Sequence, residues 1–391
     1  MAEEENKAVG WIKSFLARTD FMQVLAFVLL IAAGVMFIYG TGQQIGGELA
    51  STFWIRQLQW VVFGVLCWLF LGMINYRYCR NLSWIFYLLS LILLVLVLVA
   101  GVKVYGAKRW LQLGPMRIQP SEFAKLATLL TVAQVMSLPG FDINKLKDFL
   151  KIMVIVGIPF LLIVVEPDLG TGLILVPMTV IMIFIAGLRW RYIVIGGTVV
   201  ISLLALEGVN EYYQIKPLLK GYQRDRIAVF IHPEKDPQYR GWNQFQAKLA
   251  IGSGGVSGKG FMQGTQNELG FLPQTVSHTD FIFSVIAEET GFTGAALLIC
   301  CYGLLVFSML RTAVLAADKF GQYLAAGAAG VIFMHTFVNM GMNVGVLPVT
   351  GVPLPLVSYG GSFLLTIMIY LGLIQSIYAR RRVFSSTEEP L

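Results

Sequence analysis

A carboxylate stands where a polar loop turns into a hydrophobic helix, in the run HTDFIFSVIAEE that begins at His278. Helical periodicity places Asp280, Ser284 and Glu288 on one face, so the spacing predicts a polar stripe that leads inward from the mouth of the helix. By helix rise, Glu288 would lie about 12 Å deeper than Asp280. A carboxyl group that is partly desolvated at such a boundary has a raised pKa, which suits a general base. Capping of the helix by Asp280 is the structural alternative.

Cations cluster in the loop KVYGAKRWLQLGPMRIQPSE, which contains Lys103, Lys108, Arg109, Trp110 and Arg117. Arginine suits bidentate contact with phosphate, so the loop is a candidate receptor for a phosphorylated substrate. The structural alternative is anchoring at the lipid headgroups, with Trp110 in the interfacial aromatic belt.

The fourth hydrophobic segment opens with Gln119-Pro120-Ser121-Glu122. Ser121 is a predicted N-cap, and Glu122 and Lys125 fall on one helical face. Ionisable groups within a membrane span are costly, which favours a functional role for the pair over a structural one.

A short turn, Glu166-Pro167-Asp168, places two carboxylates directly before another hydrophobic segment. Capping of that helix by Asp168 and a role in substrate binding are equally compatible with the pattern.

Two further segments are irregular. The loop 208–280 is far longer than every other loop, and its scattered aromatic residues favour an ordered structure. Within it, Asn243–Ile251 has the apolar spacing of a surface helix, and the following glycine-rich run, 252–260, would let backbone approach a ligand or serve as a hinge. The segment Val349–Gly361 (VTGVPLPLVSYGG) is rich in proline and glycine, and it either lines a cavity or is purely architectural.

The elements that hold these residues are set by hydrophobicity. The 391-residue chain is 57% hydrophobic and only 13% charged, which is far below the roughly 25% of soluble domains. Crossing a bilayer takes about 20 apolar residues, each segment being a helix so that its backbone is satisfied. Ten segments qualify: 21–39, 57–74, 83–102, 122–138, 149–165, 169–187, 190–207, 281–310, 320–345 and 360–379. The eighth and ninth are long enough to require tilt, a kink or an overhang.

The predicted fold is therefore all-α and polytopic: one bundle of about ten helices over 21–379, with a large outer loop at 208–280 and short tails at 1–20 and 380–391. The first segment is long enough to span and is predicted to stay as a signal anchor. Fifteen of the 29 basic residues fall on one side if both termini are cytoplasmic. The cationic loop and Asp280 then face outward from the cytoplasmic membrane.

Several classes of function are excluded by what the chain does not contain. The four cysteines lack metal-ligand spacing, and no P-loop, zinc motif, Ser–His–Asp order or nucleic-acid module is present. An enzyme on the outer side has no nucleotide triphosphates, so its substrate arrives already activated, most easily as a lipid. A carboxylate beside cations suits deprotonation of a sugar hydroxyl while a lipid pyrophosphate departs.

Five motifs in order resemble the SEDS family (shape, elongation, division and sporulation): GAKRWLQLG with QPSE, EPDLGTG, AIGSGGVSGKG, HTDFIFSVIAEETGF and LPVTGVPLPLVSYGGS. They cover nearly the whole chain. The run GTQNELGFLP and the short tails are more similar to the elongation (RodA-type) branch than to the division (FtsW-type) branch.

The resemblance implies a peptidoglycan glycosyltransferase that polymerises lipid II with inversion at the sugar C1 and releases undecaprenyl pyrophosphate. Asp280 matches the family's essential aspartate, the general base; Arg109 would contact pyrophosphate and Trp110 sugar or lipid. Some members carry glutamine in place of Glu166, so an obligatory acid there is not implied. The substrate-binding candidates, in and around these motifs, are Lys108, Arg109, Trp110, Ser121, Glu122, Lys125, Glu166, Asp168, Lys248, Ser253, His278, Thr279, Ser284, Glu288 and Ser358.

The resemblance also implies partners: lipid II and lipid-linked glycan, a class B penicillin-binding protein that crosslinks the strands, and the rod-shape elongation machinery. It leaves room for a divalent cation (Mg²⁺ or Mn²⁺), although the sequence shows no dedicated metal site. Two rival functions stay open. A lipid II flippase would use Lys125 and Glu288 along a translocation path, and a scaffold would use the loops only to bind partners.

Overall fold

The computed structural model describes residues 17–45, 52–104, 107–114, 116–213, 226, 229–230, 240–272 and 276–381. Within these residues the chain forms twelve helices and one small sheet, which are, in chain order, α1 (Phe21–Ile45), α2 (Phe53–Met73), α3 (Arg77–Ala100), β1 (Val102–Val104), β2 (Ala107–Leu113), β3 (Met116–Ile118), α4 (Pro120–Met136), α5 (Leu146–Val165), α6 (Leu169–Ile185), α7 (Trp190–Tyr212), α8 (Arg240–Ser253), α9 (Thr265–Glu268), α10 (Ile282–Leu315), α11 (Lys319–Val344) and α12 (Gly361–Ala379).

All ten hydrophobic segments that the sequence predicts correspond to a helix; α8 and α9 are additional. In the part of the chain that the structure describes, seven helices are long and apolar enough to cross a membrane: α1, α2, α3, α5, α10, α11 and α12. Both α4 and α6 have 17 residues, slightly less than a full span. The prediction of an all-α polytopic membrane protein is confirmed, and the sheet is an addition to it.

The centre of the bundle is built from α4, α11 and α12, whose residues are mostly buried. Around them, α12 packs on α2, α10 on both α1 and α11, α3 on α4, and α6 on α11. Large apolar side chains on the outside of the bundle, such as Val62, Phe70 and Val99, are exposed, as expected for surfaces that face lipid.

The three strands form an antiparallel sheet in the order β1-β2-β3, where a loop was predicted. The sheet lies between the end of α3 and the start of α4. Because successive long helices alternate in direction, the same end of the bundle carries the start of α10, the end of α11 and the irregular segment 345–360. We call this end the sheet end and the other the opposite end.

Local sequence explains where several helices begin, end and bend. The Asp168 carboxylate accepts a hydrogen bond from the Thr171 backbone N–H at the start of α6, and Gly345 ends α11 in the left-handed conformation. Gly291 has a φ of 68° and a ψ of −164° inside α10, so this helix is kinked, which is one of the three possibilities that its length left open. The prediction that Ser121 is the N-cap of α4 is wrong, because Gln119 occupies that position and Pro120 is the first helical residue.

Candidate functional site

The carboxyl group of Asp280 lies at the sheet end, in the turn directly before α10. The helix begins at Ile282 and its N-cap residue, Phe281, makes no side-chain cap, so Asp280 neither lies on the helix face nor caps the helix. Segment 345–360 packs against the carboxyl: a Cβ on Gly351 would lie 3.4 Å from Asp280 Oδ2. Burial raises the pKa of Asp280 to about 6, and the positive charges of Arg226 and Arg109 oppose that rise.

Arg226 enters the site from the long loop, and no motif or spacing in the sequence predicts it there. Its side chain is buried, and Nη1 donates a hydrogen bond of 2.8 Å to the Thr350 carbonyl oxygen. The same carbonyl lies close to the start of α6, because a Cβ on Gly170 would come within 2.8 Å of it. Arg226, the turn before α6 and the residue next to Gly351 therefore meet beside Asp280.

Arg109, on β2, provides the second cation. Its guanidinium donates to the Pro167 carbonyl oxygen and lies 3.6 Å from Asp168 Oδ1. Gln119 Nε2 donates to Asp168 Oδ2 over 2.8 Å, which ties the end of the sheet to the same turn. Asp168 thus caps α6, which is one of the two roles that its position suggested, and it also pairs with Arg109; its predicted role in substrate binding stays a prediction. Lys108 and Trp110, the neighbours of Arg109 on β2, are half-buried.

Glu166 lies in the same turn and is 1% exposed. Neither of its carboxyl oxygens has a hydrogen-bond partner among the described residues. Burial raises its pKa to about 8; the negative charge of Asp168 adds to the rise, and Arg109 opposes it. Glu166 is therefore mostly protonated at neutral pH and offers a hydrogen-bond donor rather than a charge.

The predicted pair in α4 forms a buried ion pair: Lys125 Nζ lies 2.9 Å from Glu122 Oε1 and 2.8 Å from His335 Nε2. Both members of the pair are almost inaccessible, at 1% and 2% exposure. The cluster is enclosed inside the bundle. Pairing with the opposite charge offsets the cost of burying each charged group there. Ser121, at the start of the same helix, is fully buried.

The predicted stripe on α10 divides into separate contacts. Ser284 Oγ donates to Asn343 Oδ1 over 2.5 Å. Glu288 Oε1 instead accepts from Lys259 Nζ over 2.5 Å and from the Gln266 backbone N–H over 3.2 Å. The expectation of one continuous stripe with Asp280 is wrong, because Asp280 precedes the helix and Glu288 has its own partner.

The glycine-rich run packs on α10. A Cβ on Gly254 would lie 2.1 Å from the Ala287 carbonyl oxygen, and one on Gly258 would lie 2.1 Å from that of Glu289. At these two positions the missing side chains allow backbone to approach a helix, rather than the ligand that the sequence suggested. Nearby, Ser253 donates to the Ala250 carbonyl oxygen of its own helix. Lys248 is exposed on α8, which is confirmed as a helix.

The remaining candidates support the backbone around Asp280. The His278 ring stacks on Phe53 with centroids 4.5 Å apart. Ser358 Oγ donates to the Thr279 carbonyl oxygen over 2.6 Å and accepts from the Leu354 N–H over 2.8 Å. Ser358 therefore ties segment 345–360 to the residue next to Asp280.

The sequence analysis overlooked Asn339 and Asn343 on α11, which both donate to the Asp280 carbonyl oxygen. A signal was present, since His335, Asn339 and Asn343 recur every four residues in an otherwise apolar helix.

The site offers a metal ion few protein ligands. Among the described residues, no three His, Cys, Asp or Glu side chains are grouped so that they could hold a metal ion. What the arrangement can do is remove a proton with Asp280 and bind an anion through Arg109 and Arg226.

Comparisons with known proteins agree in pointing to one family. The model of the family FTSW_RODA_SPOVE, described as cell cycle protein, matches residues 20–383. The chain is 37% identical over 387 residues to peptidoglycan glycosyltransferase MrdB of Escherichia coli strain K12, covering 99% of this chain and 100% of that protein.

Two further comparisons agree. The chain is 33% identical over an alignment of 426 positions to peptidoglycan glycosyltransferase RodA of Treponema pallidum strain Nichols, covering 93% of this chain and 98% of that one. It also aligns with a chain of a solved peptidoglycan synthase complex, described for its structural coordination of polymerization and crosslinking. That match has a TM-score of 0.77 and 30% identity, and it covers 93% of this chain and 98% of the other.

Proposed function

Because the chain belongs to the FTSW_RODA_SPOVE family of cell cycle proteins, we infer that it is a membrane-embedded peptidoglycan glycosyltransferase that serves cell elongation. The resemblance to the SEDS family that the motifs suggested is thereby confirmed. The relatives are named for this activity and are matched over nearly their whole length, so the assignment concerns the whole chain rather than a fragment.

We propose that the chain polymerises lipid II. Asp280 takes the proton from the 4-hydroxyl of the GlcNAc in one lipid-linked unit. The oxygen attacks C1 of the MurNAc at the end of another, so that the new C1–O4 bond forms while the bond from C1 to the pyrophosphate oxygen breaks. The configuration at C1 inverts, and undecaprenyl pyrophosphate leaves with the electron pair.

One observation carries this proposal: a buried carboxyl with a pKa of about 6 lies within electrostatic reach of two arginines. The carboxyl is ionised at neutral pH but remains basic, as a general base requires. Arg109 and Arg226 provide the positive charge that stabilises a departing pyrophosphate. Arg109 is held by Pro167 and Asp168 and Arg226 by Thr350, so both cations are oriented before a substrate arrives.

We propose that the sheet end faces outward and that both termini are cytoplasmic. Basic residues collect at the opposite end, where Arg77 pairs with Asp318 over 2.8 Å and Arg311 with Asp20 over 2.7 Å. This distribution supports a cytoplasmic location for that end. The polymerase site would then meet lipid II after its transfer across the membrane.

A class B penicillin-binding protein and the rod-shape machinery are the proposed partners. The relative that is part of a peptidoglycan synthase complex supports this proposal, since that complex coordinates polymerization with crosslinking. The proposed mechanism uses no divalent cation. Assistance by Mg²⁺ or Mn²⁺ stays a prediction of the resemblance, because the described side chains do not form a ligand set for one.

The proposal is tested with purified protein and lipid II in detergent. We expect the unchanged chain to make glycan polymers and Asp280→Asn to lose at least about a hundredfold in rate, because loss of a general base typically costs that much or more. Polymers are measured by gel after labelling. Asp142→Asn, which changes a carboxylate in the α4–α5 loop at the opposite end, is the control and should polymerise normally.

Undiminished polymerisation by Asp280→Asn would remove the proposed base. The same experiment separates the rivals. A flippase or a scaffold would make no glycan in detergent, where no second compartment exists.

A further inference from the structure

Two asparagines of α11 converge on the backbone of Asp280. Asn339 Nδ2 and Asn343 Nδ2 each donate to the Asp280 carbonyl oxygen, over 3.0 Å in both cases. A single peptide carbonyl just before α10 therefore accepts from two side chains of another helix. Such a doubled contact fixes the position of that peptide more tightly than one hydrogen bond would.

The same two side chains are tied to further groups. Asn339 Nδ2 also donates to the Val352 carbonyl oxygen over 2.8 Å, and Asn343 Oδ1 accepts from Ser284 Oγ over 2.5 Å. Val352 follows Gly351, whose Cα faces the Asp280 carboxyl. Asn339 thus bonds to both sides of the site, the turn with Asp280 and segment 345–360. Asn343 joins that turn to α10 through Ser284.

Both asparagines are fully buried within a hydrophobic helix. Amide side chains inside a bundle are costly unless they are hydrogen-bonded, and polar side chains within a membrane helix often have a functional role. These two lie four residues apart, and both donate to the Asp280 carbonyl oxygen, so their hydrogen bonds converge on the residue that carries the proposed base.

We propose that Asn339 and Asn343 are positioning residues for the proposed base: by holding the Asp280 backbone against segment 345–360, they keep its carboxyl facing Arg226 and Arg109. This inference rests on the proposed function of Asp280. It assigns no contact with substrate to either asparagine. Their effect is on the rate of the chemical step, because a base that is displaced by even 1 Å loses much of its catalytic effect.

The test compares Asn339→Ala and Asn343→Ala with the unchanged chain, purified in detergent and supplied with lipid II. We expect kcat to fall by about tenfold to a hundredfold in each variant, with KM little changed, since the substrate-binding arginines are untouched. Asn339→Leu keeps the branched shape and the number of side-chain heavy atoms without the donor, and it should behave like Asn339→Ala. Thr336→Ala is the matched control on the same helix, because among the described residues the Thr336 hydroxyl donates to the Ile332 carbonyl oxygen of its own helix and to no group of the site, and its kcat should be unchanged.

The pH dependence distinguishes positioning from a structural role. The charged groups that face Asp280 are Arg226, Arg109 and Asp168, with neutral Glu166 next to Asp168. Loss of the asparagine hydrogen bonds should release the turn that carries Asp280 and expose the Asp280 carboxyl to water, which lowers its pKa. The acid limb of kcat/KM should therefore move to lower pH in the asparagine variants and stay in place in Thr336→Ala.

Normal kcat and a normal acid limb in any folded asparagine variant would overturn the proposal. A lower yield of folded protein with normal kcat per folded molecule would also overturn it, because the asparagines would then only stabilise the fold. Activity that survives in Asp280→Asn would remove the base itself, which is a failure of the proposed function and is seen separately.

Discussion

At the scale of single residues, the site depends on opposing effects on the pKa of one carboxyl group, that of Asp280. Burial raises the pKa of Asp280, and Arg226 and Arg109 limit that rise, so the group is ionised at neutral pH and still basic. The carboxyl oxygens of Glu166 have no hydrogen-bond partner among the described residues. The pKa of Glu166 is raised further, to about 8, so this carboxyl is mostly protonated at neutral pH. The two carboxyls thus differ in charge at neutral pH: the charges of both arginines act on Asp280, whereas only that of Arg109 acts on Glu166.

The pH dependence of polymerisation follows from this difference. Because the base must be deprotonated, kcat/KM should fall as the pH drops through about 6, the pKa of Asp280 in the substrate-free protein, and should be nearly constant from about 7 upward until other groups titrate. The measurement is the rate of lipid II polymerisation in detergent from pH 4.5 to 8, with circular dichroism at each pH as the control for folding. An acid limb centred near 4, the usual value of an aspartate, would mean that the carboxyl is not buried in the working enzyme.

At the scale of elements, the kinked helix α10 and the glycine-rich run 252–260 pack closely against each other. Gly291 at the kink would place a Cβ 2.3 Å from the Gly258 backbone nitrogen. The backbone N–H groups of Lys259 and Gly260 donate to the Glu288 and Glu289 carbonyl oxygens over 3.1 and 2.9 Å. Beside them, the Lys259 side chain pairs with the Glu288 carboxylate. Close backbone contact therefore accounts for the glycines at 258 and 291.

A pair of glycine-to-alanine changes tests this fit. Gly258→Ala should destabilise the folded protein by about 2 kcal/mol or more, because its φ is +78° and the new Cβ would meet the Glu289 carbonyl oxygen. Gly252→Ala, in α8 with nothing within 4 Å, should be neutral or stabilise by about 0.5–1 kcal/mol. Thermal unfolding in detergent measures both. Equal stabilities for the two variants would contradict the proposed packing.

At the scale of the whole molecule, the two ends of the bundle differ in kind. The opposite end is held by interactions of basic residues, including Arg77 with Asp318 and Arg380 with the Met73 carbonyl oxygen. The sheet end carries the irregular segments and the candidate site. Tight turns, ion pairs and a basic fringe suit a surface beside anionic headgroups, whereas irregular backbone suits a surface that admits a substrate.

Orientation in the membrane can be measured with single cysteines placed at the two ends. Gln112→Cys, exposed on β2, should react with a membrane-impermeant maleimide in intact spheroplasts, whereas Lys147→Cys, exposed at the start of α5, should react only after the membrane is opened. The four native cysteines are replaced beforehand, and that background chain is the control. The reverse labelling pattern would place Asp280 on the cytoplasmic side and remove access to translocated lipid II.

Local patterns were enough to locate the hydrophobic helices and to identify the family. Bilayer thickness sets the length of a spanning segment, so hydrophobic runs located ten of the twelve helices that the structure describes, and ordered motifs identified the relatives. The loop-to-helix boundary also drew attention to Asp280, and the spacing of Glu122 and Lys125 gave their ion pair. These are local patterns, which follow from the geometry of one helix or one turn.

The residues that surround Asp280 depend on tertiary packing and could not be predicted from local patterns. Arg226, Asn339 and Gly351 reach it from three separate parts of the chain, and Glu288 found Lys259 instead of Asp280. Nothing in a periodic pattern states which helix packs on which, or which backbone carbonyl a buried amide will meet. Those pairings depend on the complementary shapes of distant segments, and so the environment of the candidate base became visible only in the assembled bundle.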